Sequence, residues 1–195
     1  MAVIVGLGNP GPAYRLSRHN TGAMVARALA AHLGIRLIRR VGPTRVGEGW
    51  LGDHPVVISV PQTFMNESGS AVAALLARWP VPLTQLLVIC DDVALPFGTV
   101  RIRPQGSDGG HRGLQSVIRA VASSAFPRLR IGISNSAGGE RVSASLDRFV
   151  LAPFTGEEHR RLPAVLEAAV TACTVWVQQG VAMAMNRYNR RVSPD

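Results

Sequence analysis

The sequence predicts an α/β layer fold in a single domain, and three observations carry that prediction. Short, continuous apolar runs at residues 2–6, 56–60 and 86–90 have the length and composition of strands buried on both faces. Between them lie segments with apolar residues at helical spacing, clearest at Val72, Leu75, Leu76 and Trp79. The chain shows no internal repeat, low-complexity tract or interdomain linker, so strands alternating with helices imply layers of helix on sheet. Its 195 residues fit one domain, 1–195.

Residues 2–6 read as a buried strand. Thr21 is placed to cap a helix reaching about Leu33, with Val25, Ala28 and Leu29 on one face and Gly34 as its stop. Strand 56–60 precedes the Val72 helix, and strand 86–90 follows it. Residues 99–103 alternate apolar side chains with Arg, the pattern of a half-exposed strand. Leu114, Val117, Ile118 and Val121 repeat the helical spacing, and residues 129–133 read as another strand. The Ser/Gly/Ala-rich stretch 135–145 reads as a mobile surface loop, and a lid extending to residue 150 is expected. A long helix then runs from Glu157 to about Gln178 with Leu162, Val165, Leu166, Ala169, Val170 and Cys173 on one stripe. Pro163 falls in its first turns or kinks it.

Composition narrows the class. All 21 basic residues are Arg, and 12 acids leave a formal charge of +9, which favours a polyanionic partner. The excess sits in two blocks, 1–50 and 98–141, around a locally acidic stretch. No apolar run reaches about 18 residues, which argues against a membrane span. Residues 1–6 lack the basic start of a signal peptide. Cys90 and Cys173 read as free thiols of a reducing cytosol.

Five motifs carry candidate chemistry. Residues 5–11, V-G-L-G-N-P-G, satisfy the dinucleotide fingerprint after a strand. Arg36, Arg39 and Arg40 would suit the 2′-phosphate of NADP. However, no acid precedes Glu48 to bind a ribose, and Pro10 and Pro12 disfavour a helix start at Gly11. His19, in Arg18-His19-Asn20, lies in a loop close after that turn and just before a helix. Asp91 and Asp92 end an apolar strand, where a carboxylate can hold an imidazole or simply shape a turn. Asn66, in the segment 61–69, is open to two readings, a helix N-cap or an amide donor to an oxyanion. Ser68 and Ser70 lack the G-x-S-x-G elbow of a serine nucleophile. The glycine-rich loop 106–113 allows close backbone approach to a ligand. No metal-ligand spacing appears.

Taken in order, V-G-L-G-N-P-G at 5–11, R-H-N at 18–20, T-F-M-N-E-S-G at 63–69, D-D-V-A-L-P at 91–96, G-G-H-R-G-L at 109–114 and L-R-I-G-I at 129–133 resemble the bacterial peptidyl-tRNA hydrolase family over essentially the whole chain. The resemblance implies a twisted mixed sheet flanked by helices in a cytoplasmic monomer without cofactor or metal. It implies hydrolysis of the ester between a peptide and the 3′-terminal ribose of tRNA, gripped at the acceptor stem and 3′ end. By the same resemblance His19 is the general base, Asp91 the carboxylate holding it, and Asn9 the residue that senses a blocked amine. Asn66 matches a tRNA- or peptidyl-contacting position, and the chemistry of an Asn amide suits the oxyanion. Tyr14, Phe64 and Met65 line the substrate crevice, and Arg103 and Arg130 hold acceptor-end phosphate.

Three positions depart from the family pattern. Arg112 stands where Asn is common and has donors only. Asp92 stands where Glu is common, and is expected to be peripheral. Arg103 stands where Lys is frequent, and its planar fork suits a phosphate. Two rival readings are an NADP-binding protein and a non-catalytic RNA-binding relative, the latter opposed by His19, Asp91, Asn9 and Asn66.

Overall fold

A computed structural model describes residues 1–134 and 146–189. Strand β1 (Ala2–Gly6) is buried along its whole length because it is the central strand. Its parallel neighbours are β4 (His54–Pro61) and β5 (Leu86–Pro96). Outside β5 lies parallel β7 (Arg128–Ser134), and antiparallel β6 (Val100–Arg103) forms that edge. On the other flank β3 (Thr44–Leu51) pairs antiparallel with β4, and short β2 (Arg39–Val41) pairs with β3. Among the described residues this makes a mixed seven-stranded sheet of order β2-β3-β4-β1-β5-β7-β6. The predicted fold class is the one observed.

Successive strand residues point to opposite faces, so Val3 and Ile4 feed two separate cores. On one face α1 (Thr21–His32) and α5 (Gly156–Tyr188) close over Ile4, Ile58, Ile89 and Ile102, with Leu29, Val165 and Trp176 packed between. On the other, α2 (Ser68–Arg78) and α3 (Arg112–Val121) close over Val3, Val5, Val57 and Val88 with Val72, Leu75 and Val117. Each fully buried Leu, Ile or Val contributes on the order of 1.5–3 kcal/mol.

Several elements depart from the prediction for identifiable reasons. Strand β3 is hidden in the sequence by Gly47 and Gly49, which look like turn residues. They are required because the chain crosses over them: a Cβ at Gly47 would lie 2.4 Å from Ile35 Cγ2 and 2.6 Å from the Arg36 carbonyl oxygen. Thr21 is the first residue of α1 rather than its cap, and its hydroxyl donates to the Arg18 carbonyl at 2.6 Å. Pro163 lies inside α5 without breaking it. The break comes instead at Gly180, with φ 82°, two residues beyond the predicted end. Residues 135–145 of the expected loop and lid lie outside the described residues. The remainder, expected as loop to residue 150, belongs to helix α4 (Leu146–Leu151).

Helix α5 is long and apolar enough to cross a membrane by composition alone. Its apolar stripe, however, is spent in the core, where Val165, Ala169, Cys173 and Trp176 pack against the sheet and α1. The helix starts in a capping box between Thr155 and Glu158. Just past its end, Asn189 Oδ1 accepts from the Ile102 N–H of β6 at 2.8 Å.

The start of α1 sits almost on the backbone beneath it. A Cβ at Gly22 would be 2.2 Å from the Ile89 carbonyl oxygen and 2.8 Å from that of Leu7. Backbone cannot yield as a side-chain tip can. We therefore expect Gly22→Ala to lower unfolding free energy by about 1–3 kcal/mol, read from the denaturant midpoint. An unchanged midpoint would show that α1 can ride up off the strands.

Candidate active site

Strand β5 outruns β1. Gly6, the last residue of β1, stands opposite Ile89, while β5 continues to Pro96. Asp91 therefore emerges just beyond the central strand, where the chain order reverses and open α/β sheets place their ligand crevice. It is only 3 % exposed. Over it lies the short turn Arg18–Asn20 that feeds α1. His19 Nδ1 faces both Asp91 oxygens, at 2.9 Å and 3.0 Å. A carboxylate accepts only, so the proton sits on Nδ1 and the lone pair of Nε2 is left for a ligand.

The sequence reading missed His111, which completes this arrangement. It occupies the N-cap of α3, where its Nδ1 accepts from the backbone N–H groups of Gly113 at 3.1 Å and Leu114 at 3.2 Å. That fixes the tautomer, and Nε2–H donates to Asp91 Oδ1 at 3.0 Å. The signal was present as a histidine immediately before a helix start, inside a motif read only for its glycines. Burial by itself would raise the Asp91 pKa. The field and hydrogen bond of His111, followed by those of His19, outweigh it and hold the carboxyl well below the usual carboxylate range.

His19, Asp91 and His111 together have the composition of a metal site. The α3 backbone commits the Nδ1 lone pair of His111, so Nε2 carries the proton and faces Asp91 as a donor. A cation there would displace that proton and the cap with it.

The wall opposite is built from the glycine turn. Asn20 Oδ1 accepts from Asn9 N–H at 2.7 Å, and Asn20 Nδ2 donates to the Asn9 carbonyl at 2.9 Å. So held, Asn9 accepts at Oδ1 from Met65 N–H at 2.8 Å, which leaves its Nδ2 donors for the crevice. Buried Met65 supports this wall, and exposed Phe64 meets Tyr14 edge-to-face at 6.5 Å. Asn66 is not the N-cap, a position Glu67 takes. It lines the same pocket as Asn9, Tyr14 and His19. Ser68 and Ser70 spend their hydroxyls on the Met65 and Glu67 carbonyls.

The glycine turn carries no dinucleotide geometry. Gly11 is followed only by a three-residue 3-10 turn, Pro12–Tyr14, and the first α-helix, α1, begins at Thr21. Gly6 and Gly8 are instead needed for the close approach of α1, since a Cβ at Gly6 would lie 2.2 Å from the Gly22 carbonyl oxygen. Arg39, one of the arginines considered for a 2′-phosphate, pairs with Glu48.

The remaining arginines divide. Arg103 and Arg130 share one face of the β6–β7 edge, with Arg101 directly opposite Arg130 and Arg103 opposite Arg128. Arg128 is buried and spent on the Gly106, Ser107 and Ser124 carbonyls. Arg130 lies half-buried with Nε 2.6 Å from Asp92 Oδ2, so its outer nitrogens remain. Asp92 is thus not peripheral: it holds a crevice arginine, and its Oδ1 also accepts from Ala94 N–H at 2.9 Å. Arg112 reaches across the crevice mouth to Asp147 of α4 at 3.1 Å, both well exposed.

The fold and this site define an α/β protein in which a buried carboxylate holds an imidazole at the switch point of a mixed sheet. A family model described as peptidyl-tRNA hydrolase matches residues 3–195. The chain is 47% identical over 189 residues to the peptidyl-tRNA hydrolase of Desulforudis audaxviator, covering 97% of this chain and 93% of that protein. It is 43% identical over 190 residues to that of Carboxydothermus hydrogenoformans, covering 97% and 99%. The crystal structure of the Acinetobacter baumannii enzyme is similar at a TM-score of 0.89 and 30% identity, covering 98% of this chain and 95% of the other. The chain belongs to the peptidyl-tRNA hydrolase family, hydrolases acting on ester bonds.

His111 has two duties, and they can be separated. His111→Ala loses both the cap and the Asp91 partner. His111→Asn restores a good cap without an imidazole. The Asn variant should recover roughly 1 kcal/mol of unfolding free energy over the Ala variant. Equal stabilities would show that the cap contributes nothing.

Proposed function

We propose that this chain releases tRNA from peptidyl-tRNA by water attack on the ester, with His19 as general base. The observation that carries this is the geometry at His19: Nδ1 bound to buried Asp91 and Nε2 left toward the crevice. Nε2 takes a proton as water adds to the carbonyl carbon, and the imidazolium that forms is stabilised by the Asp91 anion. The tetrahedral intermediate then collapses, and the departing ribose 3′-oxygen takes that proton. The products are a peptide carboxylic acid, which loses its proton to solvent, and tRNA with a free 3′-hydroxyl. An ester is reactive enough for this route without metal, cofactor or covalent nucleophile.

Asn66, on the pocket rim beside His19, is suited to donate to the oxyanion, an effect typically worth roughly 3–4 kcal/mol. Asn9, with Oδ1 committed to Met65, presents donors to a peptide carbonyl. A free α-ammonium brings only donors to that wall and is desolvated there, which favours a blocked amine. Tyr14 and Phe64 form an aromatic rim, and Met65 lies under it. Arg103 and the outer nitrogens of Arg130 suit phosphate of the acceptor stem. Arg112 suits a carbonyl or phosphate at the 3′ end. The enzyme acts as a cytoplasmic monomer on a tRNA partner, with no membrane involved.

The direct test is turnover of N-acetyl-aminoacyl-tRNA beside free aminoacyl-tRNA, with chelator present. His19→Ala should abolish release while tRNA binding persists; near-normal turnover would remove His19 from the chemistry. Arg103→Ala and Arg130→Ala should each weaken tRNA binding and reduce the slope of log K against log salt by about 1. An unchanged slope for both would end the phosphate assignment.

A further inference from the structure

The turn that carries His19 is clamped on both sides by its own neighbours. Asn20 points one way, to the Asn9 wall. Arg18 points the other way, into the protein, and is only 3 % exposed. Its Nη2 donates to Glu158 Oε2 at 2.7 Å and its Nη1 to the Pro153 carbonyl at 2.7 Å. Its backbone N–H donates to the Ala152 carbonyl at 3.0 Å. The guanidinium lies 4.4 Å from the Phe149 ring centroid and 5.4 Å from that of Phe154. The same Glu158 oxygen accepts from Thr155 N–H at 2.7 Å, closing the capping box of α5. One side chain therefore ties α4, the α4–α5 connection and the start of α5 to the residue before His19. Asp147 and Val150 of α4 in turn face His19 across the crevice.

We propose that Arg18 is a positioning residue for the hydrolysis, setting the α4 wall and the His19 turn at a fixed distance from each other. It never meets substrate; it acts through His19, and so rests on His19 being the base. A guanidinium is needed because three demands converge: a donor to a carboxylate, a donor to a carbonyl, and a flat cation against two aromatic rings. Lysine keeps the charge and can donate, but it lacks the planar fork that reaches both oxygens while lying flat against the rings. Arg103 and Arg130, proposed for acceptor-stem phosphate, lie on the β6–β7 edge away from this turn, so displacing it acts on the rate at the ester more than on tRNA affinity.

Arg18→Ala strands a buried carboxylate and is expected to fold poorly. The informative variants are Arg18→Lys, Glu158→Gln and Phe149→Leu, assayed on N-acetyl-aminoacyl-tRNA well below their melting temperatures. We expect Arg18→Lys and Glu158→Gln each to lower kcat by about ten- to a hundred-fold, with KM within about two-fold. The double variant should be little worse than either alone. Phe149→Leu should lower kcat by a smaller factor. Amide exchange across residues 146–151 should quicken in all three. A purely structural role predicts losses proportional to the unfolded fraction, with normal kcat for the folded enzyme. That result, or wild-type kcat with unchanged exchange, would overturn the proposal while leaving an inactive His19→Ala to support the base. Turnover persisting in His19→Ala would overturn both readings together.

Discussion

A single buried carboxylate organises this molecule. Asp91 is removed from water, and two imidazoles from distant parts of the chain compensate its charge. Burial of an anion is costly unless each lone pair finds a donor. Most of the architecture above the sheet can be seen as delivery of those two donors. The glycine-tight seat of α1 brings one, and the α3 N-terminus brings the other. His111 gives one nitrogen to the helix and the other to Asp91, so helix start and site geometry are set by one ring.

The consequence for chemistry is an asymmetry between two similar side chains. His111 has both nitrogens committed to protein groups, whereas His19 has one committed and one toward the crevice. Only the second can exchange a proton with a ligand. Asn9 and Asn20 show the same division: Asn20 spends its whole amide on the Asn9 backbone, which frees the Asn9 side chain for the crevice. In each pair one member builds and the other is presented.

This division explains what the sequence revealed and what it concealed. The buried strands were legible because parallel strands covered on both faces must be apolar throughout. The chief helices were legible because their stripes are long. Resemblance supplied the pairing of His19 with Asp91, since 72 residues separate them and no local pattern joins them. The supporting members were not legible. Asn20, Arg18 and His111 do their work through contacts set only by tertiary packing. Strand β3 was masked by glycines needed for chain crossing, and α4 has only 6 residues, too few to show a stripe. Asp92 read as a peripheral change from Glu because its partner, Arg130, is 38 residues away in sequence.

Helix α5 has a consequence that belongs to neither of its ends alone. At its start, Glu158 holds the turn bearing His19. Past its end, Asn189 fills a backbone donor on the outermost strand, the one that carries Arg101 and Arg103. Open strand edges invite a stranger's strand, and here a side-chain carbonyl already occupies the invitation. The same helix is thus a strut between the His19 end of the molecule and its arginine-bearing rim. Its bend at Gly180 sets the angle at which the strut meets that rim. The distance from His19 to the arginines of β6 is therefore set through α5 and its bend.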